Sequence, residues 1–465
     1  MYSQWRRRQR RAAAAAVLGT VLVLPFSAHA MSLSLTEAID TALAANTVLR
    51  ITAEGERSAD AALKQARGKN SISAEAGDTL RTSKAKDEDA QTSNSLSLSA
   101  RLPLYSGGAN EANIKSGEIG AQSARLTTER AREDLKYEVI TAYWDAVEAS
   151  KKVEVQRDTV NKYDAHLKNV TALYDAGAQA KIDVLRSSVE LSNARQELIS
   201  AENSYEVNLA TLRNLLNIAR TEPLTLTTEV TYQPFEKPME DCISYAYRNR
   251  LDLTVERAKL RQRELAIESA RAGYRPSVSL TLGTGLSSQF HPRHDTSSDV
   301  SASVGVSWNI FDSGVTRGAI EEAEAERDIA LLNVQKAEET IDLNLRKAYL
   351  NMREAEQRFT ATGDAVRQAH EDYHIANERY RAGEGILLDI IDAQTALSAA
   401  ETNAISARYD YARYRAQVEN LMGAALTESE RAAAEGLPTV TAEERAAAQA
   451  AYIEGGTDAA AKAVE

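Results

Sequence analysis

Two stretches of the chain carry apolar residues at alternating spacings of four and three. The first runs Leu135, Val139, Ala142, Ala146, Ala149, Val153, Val160, Tyr163, Leu167, Val170 and Tyr174, with only Gln156 polar in the series. The second runs Ile341, Leu345, Ala348, Met352, Ala355, Phe359, Val366, Ala369, Tyr373, Ala376 and Tyr380, and its one polar member is Thr362. A seven-residue period sustained this long is a coiled-coil seam, not the stripe of a globular helix. The first series predicts one helix from Ala109 to Asp175, about 100 Å long at 1.5 Å per residue. The return is predicted in two pieces, Ala178 to Asn217 and Asp252 to Gly273. Between them Pro223, Pro234 and Pro238 and the alternating LTLTTEV mark a small non-coiled belt, residues 218–239.

A different period appears before each long helix. Val300, Ala302, Val304, Val306, Trp308 and Ile310 alternate with small or polar residues, as do Leu96, Leu98, Ala100, Leu102 and Leu104. Val278, Leu280 and Leu282 supply a third such run and Ile72, Ala74 and Ala76 a weaker one. Period-two alternation predicts strands with unlike faces, in two hairpins over 71–104 and 276–310. The runs have the length a tilted strand needs to cross a bilayer. Four strands with an apolar outer face leave unpaired edges in hydrocarbon, so the sheet must close into a barrel. About eight strands is the practical minimum, so several protomers must share one barrel. The competing reading is a soluble hairpin region packed on the helices.

The chain is internally duplicated. YDAGAQAKIDVLRSSVELSNAR from Tyr174 and YRAGEGILLDIIDAQTALSAAE from Tyr380 align without gaps at an offset of 206, pairing Gly177 with Gly383 and Asp183 with Asp389. The same offset pairs Gly108 with Gly314 and Tyr143 with Tyr349. Residues 35–67 and 239–271 repeat at 204, pairing Ala42 with Ala246 and Leu49 with Leu253. A register held this far means two copies of one unit, with hairpins at 109–217 and 315–423. In the second copy the helices ending at Arg67 are expected to supply the missing half of the return. LPLYSGGAN and WNIFDSGVT join strand to helix, and Gly107, Gly108 and Gly314 supply the positive φ such a junction requires.

Composition adds the cellular setting. Residues 1–30 read as a secretory signal, with arginines at 6, 7, 8, 10 and 11, an apolar run from Ala12 to Leu24, and Ala28-His29-Ala30 as cleavage site. Removing those five arginines and no acid takes the formal charge from −12 to −17, which argues against nucleic acid as a partner. Aromatic residues are only 6%, as in long helices. The single cysteine, Cys242, falls opposite Ala38 in the repeat and reads as a buried small hydrophobe. The Ala- and Glu-rich tail 424–465 is expected to be poorly ordered or equatorial.

The duplicated hairpins, the four strands, PLYSGG with its copy IFDSG, the Tyr-x-Ala-Gly turns and LLDIIDAQ together resemble the TolC-like outer-membrane efflux and secretion channel family. The resemblance covers about residues 32–423. It implies a mainly α, α+β protomer of a homotrimer, with a shared transmembrane β-barrel in outer-membrane lipid and a helical tunnel in the periplasm of a Gram-negative bacterium. It further implies docking of a periplasmic adaptor and an inner-membrane transporter at the tip, around Tyr174, Gly177, Gly383 and Gly385. The family's selectivity aspartates fall at Asp389 and Asp392, and its closing groups at Asp183 and Tyr380. One position departs from the pattern: Gly385 stands where the best-known members carry an arginine. Lys181, Arg381 or another arrangement holds the closed state.

The residues alone agree about the tip. Asp389 and Asp392 lie three apart on a helix and share a face. If that face points into a trimer, six carboxylates ring a constriction, drawing cations and resisting anions. The alternative is that they are ordinary solvated helix charges.

Other chemistry is weak. His370-Glu371-Asp372-Tyr373-His374 fits the H-E-x-x-H zinc pattern. Tyr373 nevertheless lies on the seam, and the first copy has Asp164 and Lys168 in place of the histidines. His291 and His294 sit in a loop where a metal would bind only incidentally. No enzyme and no cofactor are expected. The serious competitor is a periplasmic coiled-coil adaptor bridging two membranes without a pore, which would need its strands to form a soluble sandwich.

Overall fold

The computed structural model describes residues 31–84, 90–219, 224–291 and 294–423. The expected signal segment, most of the first hairpin loop and the tail lie outside them. The chain begins with a three-residue strand β1 (Met31–Leu33), then helices α1 (Leu35–Ala45) and α2 (Thr47–Lys69). Strands β2 (Ser73–Ser83) and β3 (Gln91–Tyr105) lead into the 67-residue α3 (Ala109–Asp175), and α4 (Lys181–Leu216) returns. The second copy repeats this order: β4 (Leu224–Leu226), α5 (Met239–Asn249), α6 (Leu251–Arg271), β5 (Ser277–His291), β6 (Asp295–Ser307), α7 (Val315–Arg381) and α8 (Leu387–Met422). Helix α7 also has 67 residues and α8, like α4, has 36.

Strands β2, β3, β5 and β6 form one antiparallel sheet in that order, so β2 and β6 are its edges. The register places Leu96 opposite Leu286, Leu102 opposite Leu280, and Leu280 opposite Val304. Directly paired residues point to the same side, so these apolar residues share one face while Ser97, Ser99, Gly283 and Ser301 occupy the other. That apolar face is uncovered, with Val300 at 87% exposure.

The strand-to-helix junctions follow the sequence reading. Gly107, Gly108 and Gly314 have φ of 69°, 97° and 89°. A Cβ at Gly107 would sit 2.9 Å from the Ala272 carbonyl, so that site excludes a side chain twice over. The helix starts are capped by repeat-related residues. Ser106 Oγ accepts from the Asn110 N–H at 3.0 Å, and Asp312 accepts from those of Gly314 and Thr316 at 3.0 and 2.8 Å.

Partway along the long helices sits the belt. Strands β1 and β4 pair in parallel, and Tyr143 pins them. Its hydroxyl donates to the Leu33 carbonyl (2.9 Å) and accepts from the N–H groups of Thr227 (3.1 Å) and Thr228 (2.9 Å). The repeat-related Tyr349 donates to the Lys237 carbonyl at 3.1 Å. Each copy has its own core here. Ala38, Ala42, Val139, Leu212 and Leu216 in the first correspond to Cys242, Ala246, Leu345, Val418 and Met422 in the second. Cys242 is fully buried in that core and unpaired, as its alignment with Ala38 predicts.

One packing relation differs from the sequence reading. Helix α2 does not complete the second copy within the chain: it lies along α3, and α6 is wedged between α3 and α7. Helices therefore run α2, α3, α6, α7 across one half of the molecule and α4, α3, α8, α7 across the other. Among the described residues nothing covers the outer flank of α7, because α2, the repeat match of α6, lies at the opposite edge.

Candidate functional site

The site lies at the two turns farthest from the sheet. Helix α3 ends at Asp175, and Gly177, at φ 75°, donates its N–H to the Tyr174 carbonyl at 2.9 Å. Helix α7 ends at Arg381, and Gly383, at φ 77°, donates to the Tyr380 carbonyl at 3.0 Å. A left-handed residue just past a helix end satisfies its last carbonyls, and glycine adopts it without steric cost.

The second turn is wound more tightly. The Glu384 and Gly385 N–H groups both donate to the Arg379 carbonyl, at 2.9 and 3.1 Å. A Cβ at Gly385 would stand 3.0 Å from the Tyr380 nitrogen and 3.2 Å from the Arg379 carbonyl carbon. A side chain there would fit only if the turn's main chain gave way. The repeat-related position in the first copy is Gln179, which has room and uses it.

Gln179 Nε2 donates to the Tyr380 hydroxyl at 3.4 Å, joining the first copy's turn to the second copy's last helical turn. The Tyr380 ring also lies 5.5 Å from the His166 ring of α3, tilted by 54°. Burial pushes the Tyr380 hydroxyl above its usual pKa, and the Asp183 carboxylate adds to the effect. The structure thus brings Asp183 near Tyr380, while the hydroxyl's hydrogen bond goes to Gln179. Around Tyr380 a small core of Val170, Ala376, Leu387, Ile390 and Ala393 binds the two hairpins together.

Tyr174 behaves differently. Tyr380 is 7% exposed and Tyr174 40%, although they occupy the same place in the repeat. The sequence puts Tyr174 on the seam; in the chain its side chain is left uncovered. The cause is tertiary, since the second hairpin packs beside the first and has no further hairpin on its far side.

Asp389 and Asp392 are both exposed, on a stripe of α8 flanked by the buried Ile390 and Ala393. Asp389 also works locally: its carboxylate accepts from the Ile386 N–H at 3.4 Å, at the helix start where backbone donors lack partners. Arg381 donates to Glu378 on its own helix. His370 and His374 are exposed on α7, and Tyr373 lies under the Lys162 ammonium at 5.2 Å.

Sequence reasoning missed His166, Gln179 and the charged seam higher up. There Arg413 of α8 donates to Asp145 (2.7 Å) and Glu148 (2.5 Å) of α3 and to Asp410, and Ser406 donates to Glu148 at 3.0 Å. These acids hold the guanidinium protonated far above any working pH, against the opposing effect of its burial. Gln179 was findable, since the repeat offset places it opposite Gly385. Nothing local distinguishes His166.

With this geometry established, the model of the outer membrane efflux protein family matches residues 38–217 and 242–424, the two copies in turn. The chain belongs to the outer membrane efflux protein family. Among curated relatives it is 27% identical to protein CyaE of Bordetella pertussis, over 83% of this chain and 81% of that one. It is 21% identical to the outer membrane protein TolC of Escherichia coli, over 64% of this chain but only 63% of TolC. Among solved structures, the CmeC outer membrane channel of Campylobacter jejuni superposes with a TM-score of 0.76 at 17% identity, covering 86% of this chain and 88% of that one. The efflux family protomer is an outer-membrane protein with its helical portion on the periplasmic side, and the family is one of channel and transport proteins. The adaptor reading is not favoured. Among the described residues the four long strands form one sheet, not a sandwich, and there are two helical hairpins.

Proposed function

We propose that three copies of this chain close a twelve-stranded barrel in the outer membrane and a helical tunnel beneath it. In this reading the tunnel is the exit duct of a tripartite efflux pump or a type I secretion system. The observation that carries it is the four-stranded sheet: one face is apolar and uncovered, and among the described residues neither edge, β2 or β6, has a further neighbouring strand. The apolar face suits lipid, but the unpaired edges are not tolerable there unless further copies extend the sheet until it closes.

Gly177, Gly383 and the neighbouring Tyr174 and Gly385 would form the surface on which a periplasmic adaptor and an inner-membrane transporter dock. Asp389 and Asp392, exposed at the same end, would ring the constriction as six carboxylates. Tyr380 and Asp183 would belong to the contacts that keep it shut. Such a ring concentrates cations and opposes anions.

The test is reconstitution of the mature protein. It should need detergent for extraction, migrate as a trimer by sedimentation, and give discrete conductance steps in planar bilayers. A protein that stays soluble without detergent and never conducts would replace this reading with a pore-less adaptor.

A further inference from the structure

The repeat predicts which surfaces meet between copies. Inside the chain Leu126 of α3 packs with Leu251 and Val255 of α6. The repeat carries Leu126 to Leu332 on α7 and Val255 to Ile51 on α2. Those two side chains are 50% and 65% exposed and lie at opposite edges of the molecule. A contact made once within the chain is therefore left half-made at each flank, and a second copy supplies the missing half. The other bare apolar residues of α7 agree. Ile329, Leu343 and Leu350 continue the 3,4 spacing of Leu332, and Leu350 is the counterpart of the buried Trp144.

The same mapping can be applied at the tip. Tyr380 packs against His166 and Gln179, near Asp183. Moved by one repeat, this becomes Tyr174 of one protomer against Asp372, Gly385 and Asp389 of its neighbour. Two substitutions change the chemistry of the socket. Gly385 removes the amide that bonds the tyrosine inside the chain. Asp372 replaces His166 and adds a carboxylate beside that of Asp389, the match of Asp183, and a hydrogen bond to a carboxylate is shorter and stronger than one to a neutral group.

We propose that Tyr174 is the clasp between protomers at the tip, its ring seated beside Gly385 of the neighbouring protomer and its hydroxyl donating to the Asp389 carboxylate there. This rests on the trimeric reading above, and it goes beyond it by naming the partner of each group. It explains why the exposed aromatic residue of the first seam is at the very end. It also gives Asp389 a second role, since a carboxylate that anchors the clasp is held in position at the constriction.

The test is cross-linking of the full chain in outer membranes, with Cys242→Ala as background and a short bismaleimide as probe. One variant carries Ile51→Cys with Leu332→Cys, the other Tyr174→Cys with Asp389→Cys. Both should give dimer and trimer bands, and no single-cysteine variant should. Bands from the first pair without the second would overturn the clasp and leave the trimer standing. Bands from neither would remove the trimeric reading and the clasp with it. To exclude a folding defect at the tip, a photoreactive benzoylphenylalanine replaces Tyr174 alone. Its cross-links should map to residues 372–392 of another chain, and mapping elsewhere would also overturn the proposal.

Discussion

Gln179 and Tyr380, 201 residues apart, are joined by an amide-to-hydroxyl hydrogen bond of 3.4 Å that ties one helical hairpin's turn to the end of the other. At that length the bond is weak, and the ring's burial among Val170, Ala376 and Leu387 does more of the holding. Tyr380→Phe, which keeps the ring, should cost about 0.5–1.5 kcal/mol. Tyr380→Ala leaves a cavity and should cost about 3–5 kcal/mol, as for other large aromatic truncations. Chemical denaturation in detergent separates the two, and equal losses would show that the hydroxyl, not the ring, is the tie.

Gly385→Ala should be harmful although the position is exposed to modification by sequence standards. The added carbon meets main chain at 3.0 and 3.2 Å, so the turn must move, at a cost of about 1–3 kcal/mol. Limited proteolysis should cut the variant faster at 380–386 than the unmodified protein. An unchanged cleavage rate would mean that the turn relaxes freely.

The belt gives a third prediction. The Tyr143 hydroxyl serves three main-chain groups, whereas that of Tyr349 donates to one and otherwise accepts from the Arg353 guanidinium. Tyr143→Phe strands those groups and should cost about 1–3 kcal/mol, more than Tyr349→Phe. Thermal unfolding of the two variants should rank them in that order; the reverse order would refute the assignment of Tyr143 as the pin.

His166 makes the tip sensitive to acid. Burial lowers its pKa below 6.5, and its Nε2 is buried with no hydrogen-bond partner among the described residues. The folded state thus disfavours the proton, so stability begins to fall as pH drops below 6.5 and levels off once the native ring is protonated. Compared over pH 7.5 to 5, His166→Phe should show a shallower loss of stability than the unmodified protein. Parallel profiles would exclude the ring as the source.

Much of this was legible in the sequence. The 67-residue span of α3 and the four strands follow from periodicity, because coiled-coil seams and two-faced strands write their geometry into local spacing. The glycines at 107, 108 and 314 were readable for the same local reason. What escaped depends on distant packing. Three-residue β1 has no pattern of its own and exists only because β4 lies beside it. The placing of α2 along α3, and the divergence of Tyr174 from Tyr380, follow from which flank of each hairpin the chain itself covers. At the candidate site, Asp389 and Asp392 were found by spacing, whereas Gln179, though the repeat offset sets it opposite Gly385, shows its role only in the geometry around Tyr380.

The central claim is a pore constricted by the aspartates of α8, and ion selectivity tests it most directly. In a planar bilayer under a salt gradient, the reversal potential of the unmodified protein should indicate preference for cations. Asp389→Asn with Asp392→Asn should move it toward zero while single steps persist. If the unmodified channel shows no cation preference, or the double variant keeps it in full, the carboxylates do not line the constriction and the account of the tip is wrong.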